Sequence, residues 1–171
     1  CGLAGAEYRS DGFAAALKGM FGGTTLGGLR KRVLIPTFQL DNGADPPGVR
    51  MWKPKFFHNF PGPSGDSGER AVDVALRTSA APTYFPSYQG YVDGGVAANN
   101  PSMAALAQAL DAGTGGQTLE DIRLLSLGTG TNPTFIPGGS HDWGLVRWAK
   151  PLVSLMIDGV MGVADYECGR L

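Results

Sequence analysis

The sequence predicts an α/β layered fold with a largely parallel sheet, and three observations carry that reading. Short apolar runs at residues 33–40, 55–60, 91–92 and 122–127 alternate with stretches whose apolar residues fall at helical spacing. Apolar residues make up 43% of the 171, enough for a sizeable core, whereas charged residues make up only 17%, so much of the chain is expected to face protein rather than water. The 27 glycines and 12 prolines are spread as punctuation, which points to tight turns in one compact unit and not to a linker. The length fits one domain or a large part of one, and no internal repeat is visible.

Taken in order, Ser10 or Asp11 can cap a helix through Ala14, Leu17 and Phe21 that Gly22-Gly23 ends. Thr24-Thr25 begins a short turn through Leu29. Residues 33–40 are mostly apolar strand formers bounded by charges and turn residues, so they read as a buried strand; residues 55–60 read as another. Asp, Asn, Gly and Pro make 41–49 a loop. Residues 61–68 form a mobile-looking loop. Residues 69–79 read as a buried helix stopped by Pro82 and Pro86. Tyr91-Val92 is a short strand that delivers Asp93. Pro101 suits the first turn of a helix, with Asn99 or Asn100 as its cap. Met103, Leu106, Ala107 and Leu110 then give that helix one core face. Residues 122–127 read as a strong buried strand closing on Gly128-Thr129-Gly130. Residues 141–158 are apolar on most sides: a buried helix, or one facing lipid or a further partner. Trp143 and Trp148 fit a membrane surface or a core equally well.

A net charge of -1 and a pI near 6.1 give no electrostatic case for nucleic acid. The cluster Arg30-Lys31-Arg32 is short and reads as a solvated lead-in to a strand. Cys1 and Cys168 have neither metal-ligand spacing nor a disulfide framework. Free thiols in a reducing, cytoplasmic setting are the simpler reading, with a secreted protein and a terminal bridge left open. No signal peptide and no membrane-spanning run is present. A start at Cys1-Gly2 instead of Met is expected of a truncation or a processed product; a mature lipoprotein also begins so, but no lipobox is visible.

The most informative stretch runs from Asp93 through Gly94, Gly95, Asn99 and Asn100 to Pro101. It sets a carboxylate on a glycine turn at a strand's carboxyl end, where catalytic groups of open α/β folds gather. The plainer alternative is an Asx turn in which Asp93 bonds its own backbone. Gly65-Asp66-Ser67-Gly68 resembles the serine tetrapeptide of trypsin-like proteases, but it sits in a polar loop and lacks an all-β context. No serine has the G-x-S-x-G elbow: Glu69 stands where a second glycine would follow Ser67. Residues 127–131 offer a glycine loop without the Lys-Ser/Thr or third glycine of a phosphate or dinucleotide site, so a turn lining a cleft is expected. His58 lies in an aromatic run and reads as packed; it shares no metal-ligand pattern with His141.

Residues 79–86 (SAAPTYFP), then Tyr91-Val92-Asp93-Gly94-Gly95, then Asn99-Asn100-Pro101, resemble the C-terminal half of the patatin-like phospholipase family. Residues 125–130 (LSLGTG), 24–27 and 33–36 fit as well, so the likeness runs roughly from Tyr8 to Tyr166 and covers all of 1–171 as part of a single domain. The resemblance implies a three-layer α/β/α fold present here in part, and hydrolysis of a phospholipid or other lipid ester by a Ser-Asp dyad without histidine. Asp93 matches the dyad acid, Gly94 and Gly95 the turn, and Asn99, Asn100 and Pro101 its support. No metal or organic cofactor is implied; peripheral membrane contact is. The serine elbow and oxyanion glycines are expected on an N-terminal segment, without which the chain should be inactive and should expose apolar sheet edges. The rivals are a noncatalytic scaffold or regulatory half domain, a split enzyme whose serine comes from another polypeptide, and, more distantly, a protease acting through Ser67.

Overall fold

The structure, a computed structural model, describes residues 5–44, 47–130 and 133–171. Cys1, and with it any bridge to Cys168, lies outside the described residues, as do Thr131 and Asn132 after the glycine loop. The first helix, α1 (Asp11–Phe21), follows its predicted bounds. Ser10 starts it through its carbonyl, which accepts from Ala14 N–H (2.8 Å), and its side chain makes no cap bond. Gly22 ends it at φ 55°, a left-handed conformation that glycine adopts without strain. A 3-10 turn, Leu26–Gly28, follows.

Strands β1 (Leu34–Gln39) and β2 (Lys53–His58) pair antiparallel, from Leu34 opposite His58 to Gln39 opposite Lys53. Their connection is organised by buried Asn42, whose Oδ1 accepts from Met51 N–H (2.9 Å) and Ala44 N–H (3.2 Å) while Nδ2 donates to Val49 O (2.9 Å). Helix α2 (Ala71–Thr78) leads to β3 (Tyr91–Asp93), which lies antiparallel on the other side of β1. The order is β2-β1-β3. Mixed helices around a small sheet agree with a partial α/β fold, but these three strands are antiparallel where a largely parallel sheet was expected. For β1 and β2 the reason is local: the described residues between them form no crossover helix, and strands joined that way close as a hairpin.

One sheet face carries Ile35, Phe57 and Tyr91, which pack with Leu26, Ala71 and Val74. Behind α2, Val72 and Leu76 meet Leu17 of α1. The Arg77 guanidinium stacks 4.9 Å from both the Phe57 and Tyr91 rings and pairs with Glu69 (2.8 Å), which closes the edge of this cluster. On the opposite face, Leu34 and Phe56 look across a cleft to Ala104 and Ala107 of α4 (Ser102–Leu110). Helices therefore lie on both faces of the sheet. Of the four residues predicted for the core face of α4, Leu106 is buried, Met103 and Leu110 are half-buried and Ala107 is exposed.

Beyond residue 111 one expectation fails, and another holds only in its exposed alternative. Residues 122–127 form no strand; Leu125 and Leu127 are 78% and 84% exposed. A strand exists only by pairing, and none of the described residues pairs with this segment. The apolar helix expected at 141–158 is α5 (Leu145–Cys168), which starts later, runs further and leaves most of its apolar residues in solvent. Among the described residues, no helix is long and apolar enough to cross a membrane.

Candidate active site

Asp93 ends β3 opposite Thr37 of β1. Its backbone is held from the other side by the chain that leaves α2. Asp93 N–H donates to Ala80 O (3.1 Å), and Gly94 N–H donates to Thr78 O (3.2 Å). Thr78 Oγ1 in turn donates to Pro36 O on β1 (2.6 Å). Residues 78–80 thus clamp the strand end, with Ala80 buried beneath it. This explains physically why the small-residue run at 79–81 accompanies an aspartate fourteen residues on.

Gly94 is buried, and a Cβ built on it would lie 2.1 Å from Pro36 O. Its φ is -63°, an ordinary helical value. The glycine is therefore required for space, because two backbones touch there, and not for a left-handed turn. Gly95 opens the one-turn helix α3 (Gly95–Ala98). Its N–H donates to Asp93 Oδ1 (2.7 Å), so the carboxylate caps the turn that follows it. Asp93 Oδ2 makes no hydrogen bond among the described residues, and no hydroxyl or imidazole of those residues bonds to either oxygen. The half-buried carboxylate thus has one oxygen fixed and one left as an acceptor. The phenol of Tyr91, two residues earlier, is pushed up from its ordinary pKa chiefly by burial, so it adds no negative charge beside Asp93 near neutrality.

The support residues follow directly. Asn100 Oδ1 accepts from Ser102 N–H (3.1 Å) and caps α4. Pro101 occupies the N-cap, its carbonyl accepting from Ala105 N–H (2.8 Å), one position before the first turn expected for it. Asn99 sets its Oδ1 beside Gly95, so that a Cβ there would lie 3.0 Å from it and 3.1 Å from Asp93 Oδ1. The six predicted site residues lie along the stretch that runs from the end of β3 through α3 to the start of α4. From Asn99 onward it borders a 580 Å³ groove whose far wall is the Leu124–Gly130 stretch, with Met161 and Asp165 of α5 at one end. The glycine loop accordingly lines a cleft. A larger cavity, 640 Å³, lies between Phe135, Trp143 and α5 and contains none of these residues, so its size carries no argument about the chemistry.

The other candidates are structural. Asp66 accepts from Lys55 Nζ (2.7 Å) and from His58 N–H (3.1 Å), anchoring the loop that was read as mobile-looking. Ser67 lends its backbone carbonyl to Gly27 N–H (2.9 Å). His58 is buried edge-on against Phe60 with no partner for Nδ1 among the described residues, and His141 bonds Pro137 O (2.6 Å) in solvent. Among the described residues, no group of His, Cys, Asp and Glu could hold a metal ion. Sequence reasoning missed Thr78, Met161 and Asp165, which touch the site turn from other elements and carry no local signal.

A family model described as patatin-like phospholipase matches residues 3–106. Protein teg of Priestia megaterium is 43% identical over 69% of this chain and 35% of its own length. A cGAMP-activated phospholipase of Pseudomonas aeruginosa is 32% identical over 94% of the chain and 47% of its own, and a cGAMP-activated phospholipase of Vibrio cholerae is 35% identical over 87% and 44%. The chain thus spans less than half the length of these curated relatives.

Proposed function

This chain belongs to the patatin-like phospholipase family, and from that premise we propose that it supplies the catalytic base of a serine-dependent lipid acyl hydrolase. The observation that carries the reading is the Asp93 carboxylate, with Oδ1 fixed by Gly95 N–H and Oδ2 left to accept a proton. Asp93 takes the proton of a serine hydroxyl as that oxygen attacks the ester carbonyl. When the tetrahedral intermediate collapses, the protonated carboxyl gives its proton to the departing alkoxide and an acyl-serine remains. Water then attacks the acyl-serine, Asp93 takes its proton, and that proton returns to the serine as the fatty acid leaves. The serine and the oxyanion donors come from a segment that precedes these residues in the fold or from a second polypeptide. That two relatives are phospholipases supports a phospholipid ester as the substrate class.

The test is hydrolysis of a short-chain p-nitrophenyl ester by the polypeptide that joins a G-x-S-x-G elbow to Asp93. Asp93→Ala is expected to bring the rate to background while the melting temperature stays within a few degrees. Retention of most activity would remove Asp93 from the mechanism. The second reading, a noncatalytic scaffold, is favoured by the lack of any hydroxyl bonded to Asp93 among the described residues. It predicts that the elbow-bearing polypeptide is inactive too, whereas the hydrolase reading predicts inactivity of residues 1–171 only.

A further inference from the structure

The C-terminal half of α5 meets α3, α4 and the site with one face. Met161, Ala164, Asp165 and Cys168 fall at i, i+3, i+4 and i+7, one side of a helix. Ala164 is buried there, and Cys168 Sγ lies 3.9 Å from Met103 Sδ on α4. One turn apart, Met161 and Asp165 receive the two asparagines of the site: Asn99 Nδ2 donates to Met161 Sδ, and Asn100 Nδ2 donates to Asp165 Oδ1 (2.6 Å).

The second contact has consequences for Asp93. Asn100 spends its carbonyl oxygen on Ser102 N–H, which leaves its amide nitrogen to be oriented by whatever stands opposite. Asp165 is an acceptor only, so in this exposed, charge-assisted bond it fixes which way the amide faces. The stretch from Asp93 to Ser102 is then pinned at both ends. Residues 78–80 hold its start, and Asp165, through Asn100, holds its end where α4 begins.

We propose that Asp165 is a positioning residue for the catalytic base: by orienting Asn100 it sets the α3–α4 junction and so the direction in which Asp93 presents Oδ2. The proposal rests on the reading of Asp93 given above. Positioning acts on the transition state, so the signature is a loss in kcat with KM little changed.

The experiment uses the elbow-bearing enzyme, with active sites titrated by a fluorophosphonate so that misfolded protein is not counted. Asp165→Leu removes the acceptor at similar size and is expected to lower kcat per active site about tenfold while KM stays within about twofold. Asn100→Asp keeps the cap on Ser102 but sets two carboxylates face to face, and should lower kcat further. The double variant Asn100→Asp/Asp165→Asn exchanges donor and acceptor and should return kcat to within about threefold of wild type. A purely structural role would lower the melting temperature and the number of active sites without changing kcat per site. An unchanged kcat per site in Asp165→Leu, or no recovery in the exchanged pair, overturns the proposal. Asp93→Asn is assayed alongside. If it stays active, the reading of Asp93 falls and this inference with it; if it is inactive while Asp165→Leu is normal, only the positioning role is lost.

Discussion

Residues 11–110 and residues 119–171 are built from similarly apolar sequence and have opposite fates. Among the described residues, every buried hydrophobic residue except Ala164 lies in the first region. In the second, Leu125, Leu127, Phe135, Leu145 and Val146 are all more than three-quarters exposed. The family match ends at residue 106, close to where the burial ends. Both regions still form helix, because a helix satisfies its own backbone hydrogen bonds. Only the first forms sheet, because a strand needs a neighbour. Apolar pattern thus sets which residues can be buried, and the presence of a partner decides whether they are.

The contrast can be broken or sharpened by substitutions of like chemistry in the two regions, read by urea denaturation. The largest effect is expected for Phe57→Ala, at 2% exposure against Val74 and Tyr91, with a loss of about 3–5 kcal/mol. Gly94→Ala should cost about 3 kcal/mol, because its methyl would enter the Pro36 carbonyl and must push β1 and the Asp93 turn apart. Next comes Asn59→Ala. This buried side chain accepts from Val33 N–H and donates to Leu26 O and Lys31 O, and removing it should cost about 2 kcal/mol by stranding those groups. The smallest effects belong to Leu127→Ala and Leu145→Ala, at under about 0.5 kcal/mol each. A loss at either leucine comparable to that at Phe57 would mean that the second region carries a core of its own. Residues 1–171 alone should also bind an apolar dye strongly in the folded state, and Leu125→Ser with Leu145→Ser should weaken that binding without lowering stability.

Much of the first region was legible from sequence. Ala14, Leu17 and Phe21 at helical spacing, with Gly22 behind them, mark α1 and its end, and the structure settles its N-cap as Ser10. Three of the four predicted strands are present. The antiparallel direction of β1 and β2 was missed although its sign was there: the Asp, Asn, Gly and Pro of 41–49 argue against a crossover helix, and consecutive strands joined without one pair as a hairpin. The strand at 122–127 failed because β propensity describes a fit to a half-buried surface, and no such surface is offered to it among the described residues. At the site, Asp93 at a strand end and the glycines after it could be read directly: the Asx bond to Gly95 is there, and Oδ2 makes no hydrogen bond among the described residues. The need for Gly94 came out as contact with Pro36, since its φ is ordinary. The bond between Asn100 and Asp165 spans sixty-five residues and leaves no trace in local pattern.

The central claim is that Asp93 activates a serine, and the rate of covalent labelling by a fluorophosphonate tests it most directly, because it reports the nucleophile without requiring a turnover. In the elbow-bearing enzyme, Asp93→Asn should slow labelling of the elbow serine by about 100-fold or more, with the fold intact. Labelling at the wild-type rate would contradict the account and return Asp93 to a structural cap on α3.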